Sequence, residues 1–75
     1  LVGGKYPILS SKKIERILLE LGFYKVSQKG SYAKYKNIST NRICIVPMHN
    51  EIAKGTLKSI LEQADIELED FLNHI

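Results

Sequence analysis

Tryptophan is absent, cysteine occurs once, and no apolar run is longer than four residues. With Cys44 alone, no disulfide can form within the chain. Its place in the run Ile43 to Val46 suits a small core hydrophobe in a reducing compartment. Runs this short exclude a spanning helix, and no charged-then-apolar leader opens the chain, so a cytoplasmic protein is expected. No Cys/His cluster has zinc spacing, and neither a metal nor a small-molecule cofactor is expected. At 75 residues there is room for one core, so a single domain over 1–75 is expected, with 1–7 a loose, Gly-containing lead-in. A core this small buries only roughly 60% of the surface the unfolded chain exposes, so a binding partner would add usefully to stability.

Acidic residues are scarce in the first half. Residues 1–42 carry nine Lys or Arg against Glu15 and Glu20, whereas 43–75 carry two Lys against six Asp or Glu. The imbalance suits a polyanion on one side and a different surface on the other, although ordinary solvated charge can produce it too.

Ile14, Ile17, Leu18 and Leu21 fall at i, i+3, i+4 and i+7 behind Ser10-Ser11, which predicts an amphipathic helix from about Ser11 to Leu21 closed by Gly22. From Phe23 the period changes to two. Turns near Lys29-Gly30 and Asn37 to Asn41 then divide three antiparallel strands, the last running from Arg42 to Val46 and ending at Pro47. Leu57, Ile60, Leu61 and Ala64 predict a second helix over about Lys54 to Ala64. In its first turn Gly55 leaves room for the backbone to approach a strand or a phosphate. A short helix, Leu68 to Asn73, turns Leu68, Phe71 and Leu72 inward. The fold class is α+β, in the order α-β-β-β-α, with a three-stranded antiparallel sheet covered by helices on one face and open on the other.

Alternation over Ser31 to Lys36 assigns Ala33 and Tyr35 to the covered face and Tyr32, Lys34 and Lys36 to the open one. An exposed aromatic between two ammonium groups can stack on a base while the lysines meet phosphates. Exposed Tyr is also an ordinary occupant of antiparallel sheets. His49, in the loop after the third strand, is of the residue type best suited to moving a proton at neutral pH, or it could simply bond a backbone carbonyl. His74 reads as solvated.

Taken in order, Gly22-Phe23, then Val26-x-Gln28-Lys29-Gly30-Ser31-x-x-x-Tyr35, then Val46-Pro47-x-His49, then Lys54-Gly55-Thr56-Leu57-Lys58-Ser59-Ile60-Leu61-x-Gln63-Ala64 resembles the HicA family of small toxins. The likeness runs from about Ser11 to Leu72. It implies a fold similar to the double-stranded-RNA-binding domain, endoribonuclease activity on messenger RNA, and a protein partner of the HicB antitoxin type. Proteins of this pattern carry a catalytic His directly after the Gly-Ser pair. Tyr32 holds that place here, so Tyr32 and His49 become the candidate acid and base, with Lys29, Gly30, Ser31, Lys34, Lys36, Arg42 and Lys54 as the candidate RNA contacts. Tyr is a donor at neutral pH but a poor general base. Three readings stay open: cleavage by the Tyr32-His49 pair, RNA binding without cleavage, and a toxin silenced by replacement of its His. A pure protein-interaction module is the rival from a different class.

Overall fold

A computed structural model describes residues 6–75. Along the chain follow α1 (Ser11–Glu20), β1 (Phe23–Lys29), β2 (Tyr32–Asn37), β3 (Ile43–Pro47), α2 (Lys54–Ala64) and α3 (Leu68–Leu72), the order expected from sequence. Ser10 is the residue that starts α1. Its Oγ accepts from the Lys13 amide at 3.1 Å, while Ser11 is buried and its amide donates to the His49 carbonyl at 2.9 Å. Ile14, Ile17 and Leu18 point into the core, and Leu21 has become the half-buried cap rather than a fourth core residue. Gly22 follows at φ +95°, a region in which a Cβ costs roughly 1–2 kcal/mol, so the turn from α1 into β1 needs glycine.

The sheet has the order β1-β2-β3 with both pairs antiparallel. One irregularity matters for function. Tyr24 pairs with Lys36 and Lys25 with Tyr35, but the next partner of β2 is Ser27, because Val26 is the extra residue of a β-bulge. Regular alternation would have placed Lys29 on the same face as Lys25, against the helices. The bulge advances the phase by one, so Lys29 pairs with Tyr32 and shares its open face.

Between β2 and β3, Asn37 organises the turn. Its Oδ1 accepts from the Ser39 and Thr40 amides at 2.8 and 2.9 Å, and its Nδ2 donates to the Leu21 carbonyl at 3.3 Å. Asn41 takes φ +62°, which its short polar side chain tolerates. Arg42 stands outside the strand that the sequence assigned to it, and Pro47 lies inside, opposite Tyr32. The Ile45 amide points away from β2 to the free edge, where Gln63 Oε1 of α2 accepts it at 3.0 Å. Pro47 has the same outward phase two residues later, so its missing N–H forfeits no ladder bond.

The core joins Ile14, Ile17 and Leu18 of α1, Ala33, Tyr35, Cys44 and Val46 of the sheet, Leu57, Ile60, Leu61 and Ala64 of α2, and Phe71 of α3. Cys44 is fully buried as expected, and burial pushes its thiol pKa up to about 12. Tyr35 is also fully buried. Its hydroxyl donates to Glu15 Oε2 at 2.5 Å, and desolvation followed by this bond raises its pKa above the ordinary tyrosine value. In α3, Leu68 and Leu72 pack only partly against the core, and Asn73 is a cap.

Three expectations need correction. The lead-in ends sooner than residue 7: Tyr6 packs against the core, and the Ile52 amide donates to the Leu9 carbonyl at 2.7 Å. Residues 1–5 lie outside the described ones. Gly55 makes no close approach to a strand, since a Cβ there would meet nothing within 4 Å. His74 is tied to the chain, with Nδ1 2.9 Å from the Asp70 carbonyl oxygen. No helix among the described residues is long and apolar enough to cross a membrane.

Candidate functional site

Cross-strand pairing fixes what the uncovered face presents. Its three rows, each read from β1 to β3, are Tyr24-Lys36-Ile43, Ser27-Lys34-Ile45 and Lys29-Tyr32-Pro47. Every strand contributes only Lys, Tyr, Ser or apolar side chains here, and no Asp or Glu occurs in β1, β2 or β3. The sequence foresaw the lysines of β2 and Tyr32. It did not foresee the apolar third of the face, because Ile43 and Ile45 read simply as β-formers.

Tyr32 is the hinge between two depressions. One, of about 490 Å³, lies over the sheet and is lined by Ser27, Gln28, Lys29, Tyr32, Lys34 and Ile45. The other, of about 450 Å³, runs from the sheet edge to the start of α2 and is lined by Tyr32, Ile45, Pro47, His49, Glu51, Ile52, Ala53, Thr56 and Gln63. The two share Tyr32 and Ile45. A chain lying across the lysines can therefore continue into the cleft that holds His49.

Backbone hydrogen bonds bring His49 there. The Met48 amide donates to the Ser31 carbonyl at 2.6 Å, which ties the loop after β3 to the residue before Tyr32. The His49 amide donates to the Pro47 carbonyl at 3.0 Å, and its carbonyl accepts from Ser11. The main chain of residue 49 is thus held on both sides, while its side chain is exposed in the cleft. Among the described residues the imidazole has no hydrogen-bond partner, so the carbonyl-bonding role left open from sequence is filled by its backbone and not by its ring.

The remaining candidates divide. Lys29, Lys34 and Lys36 are on the open face. Gly30, at φ +59°, and Ser31 form the tight β1–β2 turn beside Lys29 and Tyr32. Lys54 is the exposed first residue of α2, next to cleft residue Ala53. Arg42 is not brought to either depression: its guanidinium lies 3.6 Å from the Asp65 carboxylate in the β2–β3 turn region. Sequence reasoning missed Glu51, Thr56 and Gln63, which line the cleft with Tyr32 and His49. Glu51 stands two residues after His49, a proximity that could have signalled it. Thr56 and Gln63 depend on how α2 lies along β3, which no local pattern reveals. Among the described residues, no three His, Cys, Asp or Glu side chains gather as a metal site would require.

A three-stranded antiparallel sheet in the order α-β-β-β-α, with helices on one face, defines a small domain similar to the double-stranded-RNA-binding class. The family is narrower than the class. Residues 11–66 match the model of the HicA toxin of bacterial toxin-antitoxin, and the chain belongs to that family. The match ends before α3. No curated protein matches the chain.

Proposed function

We propose that this HicA-family toxin binds messenger RNA across its open sheet face and cleaves it in the cleft between Tyr32 and His49. The observation that carries the reading is that one depression contains both side chains and opens onto the lysine-bearing face. In the proposed reaction a neutral His49 takes the proton of a ribose 2′-hydroxyl, whose oxygen attacks the adjacent phosphorus. The bond to the 5′-oxygen breaks as Tyr32 gives its phenolic proton to that oxygen. The products are a 2′,3′-cyclic phosphate and a 5′-hydroxyl end. Lys29 and Lys34, both flanking Tyr32, supply positive charge as negative charge builds on the phosphorane oxygens.

Each proton-transfer group of this kind contributes typically 10² to 10⁴ in rate. Tyr32→Phe is therefore expected to slow cleavage by at least about 10² at unchanged folding stability. Tyr32→His is expected to keep or raise activity, because imidazole can serve in either proton step at neutral pH. Both are read on labelled RNA in the presence of chelator. Cleavage that appears only when a divalent metal is added would contradict the scheme.

A second reading rests on the phenol itself. If the wild type binds RNA without cutting it and Tyr32→His cuts, the chain is a binder whose scaffold remains competent. In either reading the partner is an antitoxin of the HicB type, placed over Tyr32, and complex formation should block RNA binding.

A further inference from the structure

The open face carries a second exposed tyrosine that the proposed chemistry does not use. Tyr24 is 42% exposed and Tyr32 57% exposed, and they occupy opposite ends of the face, in the rows Tyr24-Lys36-Ile43 and Lys29-Tyr32-Pro47. Lys34 stands in the row between them. At strand geometry, four residues along and one strand across separate the two tyrosines by about 14 Å. Adjacent bases in a regular stack are only about 3.4 Å apart, so the two rings cannot hold neighbours of one stack.

We propose that Tyr24 and Tyr32 are paired stacking platforms for two non-adjacent bases of one extended, single-stranded RNA, which crosses the sheet diagonally with Lys34 and Lys36 on the intervening phosphates. This rests on the RNA-binding reading and specifies its substrate class. Charge complementarity favours a polyanion, because exposed Lys29 and Lys34 and half-buried Lys36 stand there and the strands bear no carboxylate. The rings favour a single strand. In an A-form duplex the bases are stacked on one another and only edges, riboses and phosphates are offered, leaving no base face for an aromatic ring on a sheet. Tyr24 shares the face of Lys36, Lys34 and Tyr32 through its pairing with Lys36, and the bulge at Val26 adds Lys29 to the same face.

The test is fluorescence anisotropy with an eight-nucleotide 2′-O-methyl oligouridine, which cannot be cut through a 2′-hydroxyl, beside a 16-base-pair RNA duplex. Wild type is expected to bind the single strand more tightly than the duplex. Losing one base-aromatic stack costs about 1–3 kcal/mol, so Tyr24→Ala should weaken single-strand binding roughly 5- to 150-fold. Tyr24→Phe, which keeps the ring and controls for folding, should stay within about threefold. If wild type binds the single strand and Tyr24→Ala, still folded by thermal melt, binds equally well, the second platform is wrong although the RNA reading stands. Preference for the duplex also overturns the proposal. So does a Tyr24→Ala variant that keeps RNA affinity but loses the antitoxin, which would assign the ring to the protein partner. Failure of wild type to bind either RNA would remove both the proposal and the reading beneath it.

Discussion

Tyr32 and Tyr35 are one strand's two kinds of tyrosine. Tyr35 is closed in against Glu15, with Lys25 Nζ 3.6 Å from the same carboxylate. Removing that hydroxyl leaves a half-buried Glu15 without its closest partner, so Tyr35→Phe should cost about 1.5–3 kcal/mol in urea unfolding. Alkaline stability follows from the same burial. The folded-state pKa of Cys44 is raised from 9.0 to about 12. In the unfolded chain the thiol ionises from about pH 9 and in the folded one it does not. The stabilisation is therefore complete below pH 9 and is lost as pH rises toward 12, at roughly 1.4 kcal/mol per pH unit. Tyr35, also raised, adds a loss that begins near pH 10. Cys44→Ala should delay the onset from about pH 9 to about pH 10, as read by denaturant midpoints at each pH. That Tyr35 faces inward and Tyr32 outward was legible from alternation alone. The Glu15 partner was not, because it comes from a helix twenty residues earlier.

At the level of elements, both long helices declared themselves by apolar spacing, and the ends of α1 by Ser10 and Gly22. Ser10→Ala should cost about 1 kcal/mol through the lost Lys13 amide bond. Gly22→Ala should cost about 1–2 kcal/mol through its positive φ, not through crowding, since a Cβ would meet only Asn37 Nδ2 at an ordinary 3.6 Å. Melting curves of the two variants check both. The bulge was invisible in sequence because it uses Val26 rather than a glycine, the residue that marks some bulges. Strand β1 therefore reads as regular, and only the turn at Lys29-Gly30 points to Lys29 as a surface residue. Deleting Val26 should preserve every observed β1–β2 pair on either side of it, with cross-strand amide contacts unchanged by NMR. Loss of the Lys29–Tyr32 pairing in that variant would show that the bulge also sets the hairpin's twist.

For the whole molecule, the charge imbalance resolved only in part into geometry. Lys29, Lys34 and Lys36 gather on the open face, yet Lys25 turns to Glu15, Arg42 to Asp65 and Arg16 to Glu20, the last at 2.6 Å. A charge count along the chain could not separate these two fates. The cleft was less legible still, since it joins the second strand, a loop and α2. Three phosphate contacts by Lys29, Lys34 and Lys36 would give a slope of about −2 for log affinity against log salt with single-stranded RNA. Each Lys→Ala change should lessen the slope by about 0.7. An antitoxin at a hundredfold excess over its Kd would add about 2.7 kcal/mol, and a chain this size should gain roughly 4–8 °C in Tm per kcal/mol. Thermal melts with and without the partner measure it.

Cleavage in the cleft shared by Tyr32 and His49, as proposed, is tested by the initial rate of RNA cutting by wild type and His49→Ala, side by side in chelator. A fall of about 10² or more in the variant is expected, with 2′,3′-cyclic phosphate ends from the wild type. Equal rates for the two proteins would contradict it.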